Sequence, residues 1–153
     1  MTNNYILRNI RYALNLDDST MIKIFRLGRH DIDPIVLTAL LKKEDEPGHI
    51  ECGDKILGSF LDGLIIHNRG RKETGQESVK QIALTNNDVL KKLRIALELK
   101  EEDMLAILKA GDVNISKSEL TALFRKRGHK HYKECGDQFL RYFFRGLAIQ
   151  QGR

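Results

Sequence analysis

The chain has 153 residues, of which 41% are hydrophobic and 31% charged, a balance typical of globular proteins and not of disordered chains. No apolar run approaches the roughly 20 residues that a membrane helix requires, and the opening Met-Thr-Asn-Asn-Tyr lacks the basic and apolar regions of a signal peptide. Composition therefore argues against a membrane protein, and we expect a soluble, cytoplasmic one.

The chain contains a tandem repeat. A shift of 83 positions aligns residues 3–69 with residues 86–152 without a gap, and 25 of the 67 pairs are identical. Chance does not produce such an alignment, so each segment is interpreted together with its twin. We predict a first repeat at 3–70, a polar linker at 71–85 whose apolar end packs onto a repeat, and a second repeat at 86–153.

The first helix of each repeat is predicted at residues 4–14 and 87–97, because apolar residues recur on one helical face there. Asparagine is a favoured N-cap residue, which predicts that Asn4 and Asn87 cap these helices. The second helix begins with acidic side chains, which complement the positive end of a helix dipole. It is predicted to end at Gly28, and at Gly111 in its twin, with the glycine as a left-handed cap.

The third helix is predicted to start at Asp33-Pro34, an N-cap followed by a proline in the first turn, with Ser116 as the N-cap of its twin. The apolar residues of this helix are Ile35, Leu37, Leu40 and Leu41 in the first copy, and Leu120, Leu123 and Phe124 in the second. The fourth helix follows Glu-Cys-Gly-Asp in both copies and carries an apolar stripe at helical spacing.

Eight helices and no convincing strand predict an all-α protein made of two tandem four-helix repeats. Each repeat, at about 67 residues, is marginal for independent stability. We therefore expect the two repeats to pack together with pseudo-twofold symmetry.

Two cysteines occupy equivalent positions, Cys52 and Cys135, just before a helix whose N-terminus can lower a thiol pKa. Neither has a defined base nearby in sequence, so they are interpreted as small packing residues and not as a disulfide or a reactive group. His129 and His131 with Cys135 are ligand types that zinc accepts, but the spacing lacks a paired second half and the first repeat has no histidine there. We expect no metal and no cofactor.

No catalytic signature stands out in the sequence. It contains no P-loop, no dinucleotide-binding glycine motif, no HExxH and no nucleophile elbow. An enzyme would have to use Asp54 or Asp137, yet each stands at the expected start of a helix, where capping explains it. We predict a non-enzymatic protein.

Positive charge is concentrated in the second repeat, where residues 86–153 hold fourteen Lys/Arg and nine Asp/Glu, against nine and ten in residues 1–70. The predicted nucleic-acid-binding residues are the cations of the segment RKRGHKHYK and two arginines one turn apart on the fourth helix: Arg125, Lys126, Arg127, Lys130, Lys133, Arg141 and Arg145. Cations interleaved with histidine and tyrosine match the electrostatic footprint of phosphate-backbone binding. We predict binding to nucleic acid, with RNA in a ribonucleoprotein as one setting and DNA as another.

The first repeat has the opposite charge at the same place, since Glu44, Asp45 and Glu46 are the twins of residues 127–129. This opposition favours an alternative, a protein-interaction or self-associating regulatory module in which the acidic segment meets the basic surface. An inert, solvated loop is a third interpretation. Within the nucleic-acid interpretation, a helix-turn-helix is conceivable only in the second repeat, where residues 116–119 offer polar side chains to base edges.

Four motifs carry a family resemblance: N-x-x-L-R/K-x-x-R-x-A-L in both repeats, Met-Ile-x-Ile-Phe before a glycine, L-x-K-E-D-E, and G-D-x-F-L-R-Y-F-x-R-G-L-A near the C-terminus. In these motifs the chain resembles the YehS-like family of bacterial proteins over nearly its whole length, and the duplication is part of the resemblance. The resemblance implies a helical tandem repeat in a bacterial cytoplasmic protein. It also implies a domain of unknown function, so it transfers no active site.

Overall fold

The structure, a computed structural model, describes residues 1–70 and 83–153. In these ranges the chain forms eight α-helices and no strand: α1 (Asn3–Leu14), α2 (Asp18–Leu27), α3 (Pro34–Leu41), α4 (Asp54–Arg69), α5 (Asn86–Ala96), α6 (Glu101–Ala110), α7 (Lys117–Leu123) and α8 (Asp137–Gln150). Two compact units, Met1–Leu84 and Thr85–Arg153, contain four helices each. The predicted all-α fold with two tandem four-helix repeats is therefore confirmed. Most of the predicted linker, residues 71–82, lies outside the described residues, and the pseudo-twofold packing stays a prediction.

Side-chain caps start the third helix of each repeat where the sequence predicts them. Asp33 accepts the backbone N–H of Val36 at 2.9 Å, and the following proline occupies the first turn. Ser116 accepts the backbone N–H of Glu119 at 3.1 Å, and the glutamate side chain accepts the serine N–H in return. These bonds satisfy backbone donors that a helix start leaves unpaired.

The predicted N-caps of the first helix in each repeat are wrong. Thr2 and Thr85 hold that position, and each accepts a backbone N–H three residues on. Asn4 and Asn87 lie inside the helix and are only 2% and 7% exposed. A buried amide needs hydrogen-bond partners, and both asparagines donate to one carbonyl at the end of the third helix and to one in the connection that precedes the fourth.

The second and fourth helices of each repeat pack backbone against backbone. The contact is made by Gly28 and Gly63 in the first repeat and by Gly111 and Gly146 in the second. A Cβ added at Gly63 would lie 1.8 Å from the carbonyl oxygen of Ile24, and one at Gly146 would lie equally close to its own neighbouring carbonyl. Such distances are impossible for a side-chain carbon, so these four positions require glycine.

The predicted left-handed caps at Gly28 and Gly111 are wrong, because their φ angles are −82° and −87°. The left-handed residue is the next one in each repeat, Arg29 at φ 64° and Asp112 at φ 69°. Glycine is needed at the end of the second helix for a different reason. A Cβ at Gly28 would lie 1.8 Å from the carbonyl oxygen of Ser59 on the crossing helix.

Each repeat has its own apolar core, formed by the predicted helix faces. The largest fully buried side chains include Phe25, Phe60 and Leu7 in the first repeat and Phe143 and Phe144 in the second. Ile35, one of the apolar residues of α3, does not join this core, since it is 80% exposed. Among the described residues, no helix has both the length and the apolar character to cross a bilayer.

Candidate functional site

Each repeat has a loop between its third and fourth helices. We call residues 125–133 the basic loop and their twins, residues 42–50, the acidic loop. In the basic loop the N–H of His129 donates to the Lys126 carbonyl at 2.9 Å, and the N–H of Lys133 donates to the Ala122 carbonyl at 3.0 Å. The acidic loop makes the same two bonds at its twin positions, at 3.0 and 3.2 Å.

A buried asparagine fastens both ends of the basic loop. The Asn87 amide donates to the carbonyls of Leu123 and Lys133, both at 2.9 Å, and its oxygen accepts the N–H of Cys135 at 2.8 Å. Asn4 makes the same three bonds in the first repeat, at 2.8, 2.8 and 3.0 Å. The two loops therefore leave and rejoin their helices in the same way, whatever charge they carry.

The role of these two asparagines was not predicted, although the sequence contains a signal for it. Thr-Asn-Asn occurs at residues 2–4 and again at residues 85–87, so all three residues are kept in both copies. A threonine cap accounts for the first of them. The third residue, an asparagine one position inside the helix, is repeated as well, which indicates that it has a structural role of its own.

Charge is what distinguishes the two loops. The basic loop has five Lys/Arg and no carboxylate, a formal charge of +5 with histidine neutral. The acidic loop has two lysines and three carboxylates, a formal charge of −1. Because the hydrogen-bonded path is shared, neither charge is required to form the loop.

Four of the seven predicted cations form a group of exposed, unpaired side chains on the basic loop. They are Arg125, Lys126, Arg127 and Lys130, and none has an ion pair with a residue that the structure describes. Their charge is therefore available to an external anion. A group of this kind on a loop fixed at both ends is the strongest charge feature of the second repeat.

The other three predicted cations already have partners. Lys133 lies 3.8 Å from the Glu119 carboxylate, Arg145 lies 3.2 Å from the Asp112 carboxylate, and Arg141 donates to a glutamine on its own helix. Both ion pairs are exposed, so each is weak and can be exchanged for an external anion. The partner of Arg145 follows α6, so this arginine is placed by the helix crossing and not by the basic loop.

Aromatic and imidazole rings lie among the loop cations. The rings of His129 and His131 are 5.6 Å apart, and the backbone N–H of His131 donates to ring atom Nδ1 of His129 at 3.0 Å. Tyr132 is half-buried, and this burial raises its pKa, so its hydroxyl remains a neutral donor. Within residues 1–70 and 83–153, no three His, Cys, Asp or Glu side chains are placed to hold a metal ion.

The side chains of the conceivable helix-turn-helix are engaged with one another. Ser116 and Ser118 hydroxyls are 3.2 Å apart, and the Glu119 carboxylate accepts the backbone N–H of Ser116 at 3.2 Å. These contacts lower the pKa of the exposed Glu119 carboxyl. The helix start therefore uses the polar groups that a recognition helix would direct at base edges.

The capping role predicted for Asp54 and Asp137 is wrong, because a glycine is the N-cap of α4 and of α8. Asp54 instead accepts the Asn3 amide at 2.7 Å and the Leu84 N–H at 2.9 Å. Asp137 accepts the Asn86 amide at 2.8 Å, and this bond lowers its pKa. Each carboxylate thus fastens the start of a first helix, and the bond from Leu84 places the end of the predicted linker against the first repeat.

Cys52 and Cys135 are free thiols, each only 3% exposed, which confirms their interpretation as packing residues. Burial raises the pKa of each thiol to about 12, with the neighbouring Asp54 or Asp137 carboxylate as a second cause. The thiols are therefore protonated near neutral pH. A protonated thiol is neither a good nucleophile nor a metal ligand.

We expect both thiols of the native protein to resist iodoacetamide at pH 8 and to react once urea unfolds the chain. The sign of the pKa shift also predicts that stability is retained below the usual thiol pKa of 9.0 and falls as pH rises from there toward 12. Mass spectrometry of labelled protein along a urea series measures the first effect. Complete labelling without urea would contradict the buried, protonated state.

Comparison with known proteins gives one family. Residues 3–70 and 86–152 match the model of a family described as "Protein of unknown function (DUF1456)". The chain is also 45% identical, over 151 residues, to "Uncharacterized protein YehS" of Escherichia coli (strain K12), covering 99% of this chain and 97% of that relative. No solved structure matches the chain.

Proposed function

The chain belongs to the DUF1456 family, whose function is unknown, and from the geometry of the basic loop we propose that it binds the phosphate backbone of nucleic acid. One observation carries the proposal. Arg125, Lys126, Arg127 and Lys130 are exposed and unpaired among the described residues, on a loop whose two ends are fastened by Asn87.

Fixed, unpaired cations favour phosphate binding for two reasons. Each phosphate that they neutralise releases condensed counterions, which makes binding favourable at low salt. A loop already held at both ends loses less conformational freedom when it binds, so more of the interaction energy remains as affinity. Arginine adds a planar fork of donors that fits two phosphate oxygens at once.

Single-stranded RNA is the ligand class that we propose first. His129, His131 and Tyr132 place rings between the cations, and unpaired bases stack on such rings whatever their sequence. The polar side chains at the start of α7 bind one another, which disfavours sequence reading through base edges. We propose sequence-independent contact with RNA, of the kind found in a ribonucleoprotein, and no catalysis.

Reversing three loop charges is expected to weaken RNA binding roughly 100-fold at low salt, because three phosphate contacts become repulsive. The variant is Arg125→Glu, Lys126→Glu and Arg127→Glu in one chain. Fluorescence anisotropy with labelled oligo(U), and with a DNA duplex for comparison, measures affinity across a salt series. With four phosphate contacts, log K plotted against log salt should have a slope of about −3 for the single strand and about −4 for the duplex.

The matched control changes net charge equally at positions outside the basic loop. Lys23, Lys55 and Lys109 are exposed on three other helices, and their replacement by glutamate also changes the net charge by −6, three side chains going from +1 to −1. Its affinity should fall much less than that of the loop variant. The proposal fails if the affinity for oligo(U) does not change with salt, is retained after the loop reversal, or falls equally in both variants.

A further inference from the structure

The first repeat exposes an apolar strip beside its acidic loop. Ile35 is 80% exposed and Ile50 is 43% exposed. Ile35 precedes Ala39 by one turn of α3, and the N–H of Ile50 donates to the Ala39 carbonyl at 3.2 Å, so both isoleucines border the same residue. No residue of Pro34–Leu41 is charged, which leaves this part of the helix surface without a charged side chain of its own.

The second repeat shows that folding does not need these isoleucines. Their twins are Ser118 and Lys133, and α7 still packs in its place with both loop ends fastened. Single exposed apolar residues are common on any protein. The informative feature is the combination, since Ile50 belongs to the acidic loop and Ile35 lies one turn of α3 from Ala39, the residue that Ile50 bonds, whereas the twin of Ile50 is a cation of the basic loop.

The carboxylates of the acidic loop are available for contact. Glu44 and Asp45 are exposed and have no ion pair with any described residue, while Glu46 accepts the backbone N–H of Lys43 at 2.9 Å. The nearby Lys42 forms no ion pair with these three carboxylates. Its ammonium donates to the carbonyl of Pro47 at 2.7 Å.

We propose that the acidic loop and the apolar strip of one copy bind the basic loop of a second copy. The two loops have opposite charges, +5 and −1, and the acidic loop has three adjacent carboxylates. Half-buried Tyr132, and half-buried Phe124 with Arg94 over one face of its ring, flank the cations with apolar surface for Ile35 and Ile50. Apolar anchors within a charged rim are the composition of a protein interface. Two reciprocal contacts of this kind close a symmetric dimer.

Self-association and RNA would compete for the same basic loop. The competition rests on the proposed function, because it requires that RNA binds there. The association itself does not, because it uses only the chain's own loops. In the dimer, the acidic loop of one copy would take the place of phosphate on the basic loop of the other. The basic loop would therefore be covered until RNA displaces the partner.

A charge-exchange experiment tests the association on nuclease-treated, full-length protein by sedimentation velocity at low salt. One variant makes both loops basic, with Glu44→Lys, Asp45→Lys and Glu46→Lys. The other makes both loops acidic, with Arg125→Glu, Lys126→Glu and Arg127→Glu. Each variant alone should be monomeric at concentrations where the wild type is a dimer, and an equimolar mixture should recover the dimer because both contacts are again complementary.

Two further variants test the apolar strip with residues that the fold already accepts. Ile35→Ser and Ile50→Lys install the second-repeat twins, and each should weaken the dimer roughly tenfold without unfolding the chain. The control with glutamate at Lys23, Lys55 and Lys109 should still dimerise. A wild-type protein that stays monomeric, a dimer that survives both loop reversals, or a mixture that fails to associate would each overturn the proposal.

Adding oligo(U) to the dimer separates this proposal from the proposed function. Dissociation into RNA-bound monomers supports both. If the wild type dimerises but the monomeric variant with Glu44→Lys, Asp45→Lys and Glu46→Lys does not bind oligo(U), the association stands and the RNA proposal is refuted, whereas a wild-type monomer that binds oligo(U) does the reverse. A dimer that binds oligo(U) without dissociating refutes the competition.

Discussion

Asn87→Ala is expected to lower the free energy of unfolding by about 3–5 kcal/mol. The change removes two hydrogen bonds donated to the carbonyls of Leu123 and Lys133 and one accepted from the N–H of Cys135. Two of these bonds are fully buried, and water does not readily replace a buried partner. Each buried group left unpaired costs about 1–3 kcal/mol, which is a large share of the total stability of an ordinary domain.

Urea unfolding followed by circular dichroism measures this loss, and two asparagine variants supply the controls. Asn9→Ala removes one bond that stays within α1, from the amide to the Tyr5 carbonyl at 2.8 Å, and should cost less than about 1 kcal/mol. Asn4→Ala removes the same three bonds in the first repeat and should cost as much as Asn87→Ala. A loss below about 1 kcal/mol at Asn87 would show that the loop finds other partners.

The two variants also separate loop geometry from general instability. At a temperature where both remain folded, Asn87→Ala should weaken oligo(U) binding, because it releases both ends of the basic loop. Asn4→Ala releases the acidic loop and should leave oligo(U) binding nearly unchanged. Equal losses in the two variants would mean that stability, and not the position of the basic loop, controls the affinity.

Local sequence features were sufficient to predict the helices. Apolar spacing and caps such as Asp33 and Ser116 act within one or two turns, so they can be recognised without knowing the fold. The duplication strengthened each assignment, since two independent versions of one helix had to agree. The repeated Thr-Asn-Asn marks Asn87, but its partners could not be predicted, because they are backbone carbonyls 36 and 46 residues away and a carbonyl has no sequence signature.

The positive charge of the candidate site could be predicted from the sequence, but the partners of its side chains could not. Counting cations identified the basic segment, whereas the ion pairs of Lys133 and Arg145 depend on carboxylates brought there by α7 and by the end of α6. The sequence also contained no sign that Ile35 is exposed, because an apolar residue at helical spacing is normally buried. The ion pairs and the exposure of Ile35 both depend on tertiary structure, which determines the neighbours of each helix face.

The glycines at the helix crossings illustrate a signal that was visible but misassigned. Gly28 and Gly111 were interpreted from their position after a helix, where a left-handed cap is common. Gly63 and Gly146 lie in helix interiors, where glycine costs up to about 1 kcal/mol relative to alanine, so its recurrence in both repeats required a packing reason. That reason is a contact between two backbones.

Gly63→Ala is therefore expected to destabilise the first repeat by about 3 kcal/mol or more. The new Cβ would lie 1.8 Å from the carbonyl oxygen of Ile24 and 2.9 Å from the backbone nitrogen of Gly28. Backbone atoms cannot turn aside as a flexible side chain can, so α2 and α4 must separate along their whole contact. Gly146→Ala should have the same effect on the second repeat, where the equivalent distance is also 1.8 Å.

Gly58→Ala provides the matched control for this prediction, since Gly58 lies in the same helix as Gly63 and an added Cβ there meets no atom within 4 Å. Alanine at an open helical position should raise stability by about 0.5–1 kcal/mol, because it removes the conformational cost of glycine. Urea unfolding should thus give changes of opposite sign for one chemical substitution in one helix. If both variants shift the unfolding midpoint in the same direction, the close helix crossing does not hold in solution.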